Sequence, residues 1–100
     1  MDKFLIVFRG ATIGEAEGPP HHPDSWNAWF DSLGSALVDR GALSHGSVEV
    51  PSRLIGPKLS SSAMSGYAII AASDFNHAVR LAKECPIFDE KGSVEIAHLR

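Results

Sequence analysis

Residues 66–100 read Gly66-Tyr67-Ala68-Ile69-Ile70-Ala71-Ala72, then Ser73-Asp74-Phe75-Asn76-His77-Ala78-Val79-Arg80-Leu81-Ala82-Lys83-Glu84-Cys85-Pro86, and after a short gap Gly92-Ser93-Val94-Glu95-Ile96-Ala97-His98-Leu99-Arg100. The first run is continuous and apolar, which suits a strand over Tyr67–Ala72. In the second, Ser73 or Asp74 is placed to cap a helix whose apolar face is Phe75, Ala78, Val79, Ala82 and Cys85, with Pro86 beyond its end. The third alternates and predicts a strand over Ser93–Leu99. A strand–helix–strand unit results, and the rest of the chain is read against it.

Upstream, Lys3–Phe8 is an unbroken run of β-formers, the pattern of a strand buried on both faces. Residues 10–22 hold Gly10, Gly14, Gly18, Pro19 and Pro20 and read as a long loop. A helix is expected from Asp24, taken as its N-cap. Trp26, Trp29, Phe30, Leu33, Leu37 and Val38 recur at helical spacing, and Gly41 is the expected stop. Val48, Val50 and Leu54 alternate with Glu49 and Arg53, which predicts a half-exposed strand over 47–55, edge-placed or bulged because of Pro51. Pro57 through Ser65 reads as a Ser-rich turn. The predicted order is β-α-β-β-α-β, an α+β ferredoxin-like domain over residues 1–100 with both helices on one face of an antiparallel sheet. The other face then needs a partner, most simply a second copy related by a two-fold axis.

Composition narrows the classes. Hydrophobic residues make up 44% of the 100-residue chain and charged residues 21%, ordinary for one globular domain. Nine Lys and Arg against twelve Asp and Glu give a net charge of −3, with the cations scattered, so nucleic acid is not an expected partner. One cysteine, Cys85, excludes an internal disulfide and a multi-cysteine zinc site. The apolar run Phe4–Phe8 is too short for a signal peptide's apolar region or a membrane span, so no membrane association and a cytoplasmic setting are expected.

Ala82-Lys83-Glu84-Cys85-Pro86 followed by Gly92-Ser93-Val94-Glu95-Ile96 resembles the end of the YCII-related (DGPF-type) proteins, with an Ala-x-x-Cys-Pro helix end before a Gly-x-Val-Glu-Val strand. The helical segment 26–41 and Gly66-Tyr67 are also similar to that family. The resemblance implies a dimeric α/β-barrel of ferredoxin-like protomers and no single reaction. The family's Asp-Gly-Pro-Phe signature is represented by Gly56-Pro57 alone, flanked by Ile55 and Lys58. A His–Asp pair proposed on the first helix of smaller relatives keeps its acidic position at Asp39, while the histidine position falls near Phe30.

His21-His22-Pro23-Asp24 is the densest polar cluster. Two imidazoles and a carboxylate suit proton transfer or a divalent metal, although neighbours in an extended segment point opposite ways. The plainer reading is a loop histidine beside a helix-capping Asp24. His45, before the second expected strand, is either a ligand contact at the sheet's end or a turn residue. His98 shares a strand face with Ile96 and Val94, as a pocket wall or a frayed end. His77 sits in the first turn of the second helix, where a solvated role is expected. Cys85 lies at a helix C-terminus, which disfavours thiolate, and reads as core. Trp26, Trp29 and Phe30 also read as core, and Ser60, Ser61 and Ser62 form no nucleophile motif.

Two functional classes follow. One is a small enzyme doing acid/base chemistry on a small organic molecule in a helix–sheet cleft, with His22, His45 or His98 as base and Asp24 or Asp39 as orienting acid. The other is a non-catalytic module binding a small molecule in the same place, or an accessory dimerisation module. Neither calls for a cofactor or a metal. Convergence separates them: an enzyme needs at least two of these groups at one cavity, a binding module needs apolar walls and at most one polar anchor.

Overall fold

A computed structural model describes residues 1–10, 22–44, 47–59 and 64–100. The elements are β1 (Asp2–Arg9), α1 (Pro23–Leu33), β2 (Leu37–Leu43), β3 (Val48–Glu49), β4 (Lys58–Leu59), β5 (Met64–Ala72), α2 (Phe75–Ala82) and β6 (Ser93–Leu99). A four-stranded antiparallel sheet has the order β2-β5-β1-β6, and β3 and β4 form a separate two-stranded ribbon. The order is consistent with a ferredoxin-like arrangement.

Period-2 alternation decides which side chains meet the helices. Phe4, Ile6 and Phe8 of β1 and Ala68, Ile70 and Ala72 of β5 are fully buried, and they pack against Trp26, Trp29, Phe30 and Leu33 of α1. Phe8 meets both indoles edge-on, its ring centroid 4.9 Å from Trp26 and 5.9 Å from Trp29. Each indole N–H has a partner: Trp26 Nε1 donates to Glu90 Oε2 at 2.7 Å and Trp29 Nε1 to the Leu81 carbonyl at 3.2 Å. The second bond ties the α1 layer to α2, and the first ties it to the turn before β6. α2 starts as its sequence indicates: Asp74 is the N-cap, its Oδ1 accepting from the His77 backbone N–H at 2.8 Å. Cys85 is buried, as expected.

Three expectations are corrected. β1 is not buried on both faces: Leu5 and Val7, with Tyr67, Ile69, Ala71 and Leu99 beside them in register, are half-buried on the side away from the helices. The first helix ends at Leu33, with Gly34 at φ +55° as its stop, and Asp24 is not its cap; His22 occupies that position and Pro23 opens the helix. The second strand of the sheet is therefore Leu37–Leu43 rather than residues 47–55. Leu37 and Val38 continue the helical spacing of α1, but pairing with β5 takes Leu37 and Leu43 into the core as strand residues. Of residues 47–55, only Val48–Glu49 pairs, with Lys58–Leu59, while Val50, Leu54 and Ile55 are exposed.

Candidate functional site

The register fixes how α2 lies on β6. Ala72 pairs with Asp2, and Leu99 with Lys3, so the α2 N-terminus sits at the C-terminal end of β6. Between them runs a groove of about 370 Å³ lined by Phe75, Val79, Ala82, Lys83, Phe88, Val94 and Ile96. Ala78 and Ala82 carry the burial of α2, with Cys85 just beyond its end, and the small alanines leave Phe75, Val79 and Phe88 38–50% exposed over the groove. The helix face predicted as core thus overhangs an apolar slot. Lys83 brings a cation to one end, its alkyl stem part of the wall.

At the other end stands His98. Its ring stacks on Phe4 (centroids 4.9 Å, 20° between planes) and lies 6.0 Å from Phe75. His98 Nε2 is 3.1 Å from Asp2 Oδ2, and both side chains are well exposed. At that distance the Asp2 carboxylate can accept a hydrogen bond from the His98 ring. Asp2 gave no signal in the sequence, where it is one more acidic residue near the start. Only the antiparallel register of β1 with β6, which pairs Phe4 with His98, brings it close.

A second cleft, of about 250 Å³, opens between α1 and β2 and is lined by Pro23, Trp26, Asn27, Phe30, Arg40, Gly41, Ala42 and Leu43. The Arg40 guanidinium lies over the Phe30 ring at 4.4 Å from its centroid, and its Nη2 donates to Asn27 Oδ1. No sequence motif marks Arg40. Aromatic positions 26 and 30 on one helical face were legible, but not the strand that carries Arg40 across them.

Of the five residues proposed as catalytic, the four described ones, His22, Asp24, Asp39 and His98, do not line one cavity. His22 precedes α1, exposed, its backbone N–H donating to Glu90 Oε2 at 3.3 Å. Asp24 is exposed in the first turn of α1, and Asp39 is exposed on β2, its Oδ1 accepting from the Gly41 backbone N–H at 2.8 Å. His98 lies at the opposite edge of the sheet from Asp39. His45 and His21, and with them Ser60 to Ser62, fall outside the described residues. Three of the proposed residues neighbour the α1–β2 cleft in sequence without lining it: His22 and Asp24 flank Pro23, and Asp39 precedes Arg40. Phe30 is core. His77 is half-buried, its Nδ1 accepting from the Ser73 backbone N–H at 3.0 Å, a local capping role.

Among the described residues no group of three His, Cys, Asp or Glu could hold a metal ion. No helix there is long and apolar enough to cross a membrane. No family model matches the chain, and no curated protein matches it.

Proposed function

We propose that the protein is a YCII-related homodimer that binds a small apolar or aromatic molecule in the α2–β6 groove without turning it over. The observation that carries this reading is the groove itself. Phe75, Val79 and Phe88 stand exposed around a concave apolar space, with polar groups confined to its ends. The dispersal of His22, Asp24, Asp39 and His98 supports binding over catalysis by the convergence criterion. The apolar sheet face centred on Leu5, Val7, Tyr67 and Ile69 supports two-fold pairing of ferredoxin-like protomers into an α/β-barrel. The reading carries no cofactor and no nucleic-acid partner, and a reducing, cytoplasmic setting in which Cys85 stays a thiol.

The His98–Asp2 pair favours a second reading, acid/base catalysis at the end of the same groove. A titration of ¹⁵N-labelled protein with toluene and related neutral aromatics tests the first. Saturable shifts are expected at Val79, Lys83 and Ile96, weakened about tenfold or more in Val79→Lys, which places a charge on the apolar wall. His98→Ala should bind almost as well as the parent. Absence of groove shifts with every compound would end the binding reading. A turnover lost in both His98→Ala and Asp2→Asn would replace it with the catalytic one.

A further inference from the structure

We propose that the α1–β2 cleft is a separate site for a small organic carboxylate, with Arg40 binding the anion and Pro23, Ala42 and Leu43 receiving a small apolar body. It lies against β2, at the edge of the sheet opposite β6, and does not depend on the groove reading.

Arg40 is positioned from two sides, by the face of Phe30 and by the Asn27 side-chain carbonyl. A guanidinium so held has lost part of its rotamer freedom before any ligand arrives, which favours binding. Asn27 takes one N–H donation from a group that carries five, so a fork of donors remains. No carboxylate of the described residues lies within ion-pair distance of Arg40. Asp39, its neighbour in the chain, is turned to the Gly41 N–H. Among the described residues, internal neutralisation is therefore missing where a planar, bidentate cation lines a cavity, and a planar carboxylate is the complementary anion.

The walls choose among carboxylates. An exposed ion pair contributes little by itself, because water and salt screen it. Apolar contact with Pro23, Ala42 and Leu43, over the buried Trp26 and Phe30, must supply the rest, so acetate should bind poorly and an aryl carboxylate better. A cavity of about 250 Å³ is small against those that hold drug-sized molecules, which points to a single-ring acid. Inorganic phosphate gains nothing from such walls.

Sodium benzoate, benzamide and sodium acetate, titrated into ¹⁵N-labelled full-length chain, test the proposal. Benzoate should move the Asn27 side-chain amide and the Gly41 and Ala42 backbone amides saturably, with benzamide and acetate each about tenfold weaker or more. Arg40→Gln should lose benzoate binding by a similar factor while keeping the rest of the spectrum, since Arg40 is exposed. Arg40→Lys should recover part of it, and Asn27→Ala should weaken it by freeing the guanidinium. Equal affinity for benzoate and benzamide, or wild-type affinity in Arg40→Gln, would overturn the carboxylate site. So would shifts gathered at Val79 and Ile96, or no saturable shift at all. Toluene shifts in the groove are read in the same samples, so failure of either site is seen apart from the other.

Discussion

Cys85 shows at the level of one residue how burial decides chemistry. Desolvation pushes its thiol from 9.0 up to about 12; the Glu90 and Asp89 carboxylates act in the same direction, against a hydrogen bond from the Ile87 backbone. Below pH 9 folded and unfolded chains both keep the proton. Between pH 9 and 12 the unfolded chain releases it and the folded chain does not, so stability falls as pH rises, by at most about 1.4 kcal/mol per pH unit. Denaturant unfolding between pH 8 and 11 should show this decline in the parent and a shallower one in Cys85→Val. Parallel slopes would show that the thiol is not the source. The placement of Cys85 was readable because an apolar helix face and a following Pro86 are local signals. Asp2 and Arg40 were not readable, because each acquires its partner through strand register, between residues far apart in the chain. Of the residues that stood out as types, His22 and Asp24 stand at the entrance of α1, and Asp39 accepts from the Gly41 N–H within β2.

At the level of elements, both helices and the strands β1, β5 and β6 follow from local periodicity. The error lies between Gly34 and Gly41. Leucines at 33 and 37 keep helical spacing, and either glycine serves as a helix stop, so spacing alone cannot choose. The choice is made by β5, which needs a neighbour on its free edge. Gly41 is then inside a strand, at φ +64°, at one of the two register shifts of β2. A Cβ built there would stand 2.0 Å from the Tyr67 carbonyl oxygen, in backbone that cannot yield without breaking the ladder. Gly41→Ala should therefore cost about 2 kcal/mol or more. Gly34→Ala, where no atom of the described residues lies within 4 Å of the added carbon, should cost only the strain of its φ +55°, ψ −127° backbone, about 1–3 kcal/mol, whereas Gly41→Ala adds the clash to a similar strain. Thermal or urea unfolding of the two variants checks the ranking, and an equal or reversed order would contradict the strand assignment of residue 41.

For the whole molecule, the β-α-β-β-α-β order was legible although its second strand was misplaced, since helix–strand alternation survives a ten-residue shift. Two-fold pairing through the open sheet face is testable by sedimentation. The parent should run at twice the chain mass, and Leu5→Lys/Ile69→Lys, with two charges at the centre of that face, should run as a folded monomer. A monomeric parent would remove the dimer from the proposed function. The position of β1 has a different consequence. It is the first strand in the chain and a central strand of the sheet, with Asp2 beside Ala72 and Lys3 beside Leu99. Both pairings join residues more than half the 100-residue chain apart, so both close long loops. Assembly is thus dominated by non-local contacts, which places refolding in the slow, millisecond-to-second range of small domains. During that interval the nascent Phe4-Leu5-Ile6-Val7-Phe8 segment has no strand to pair with, and it is the part of the chain most exposed to wrong partners.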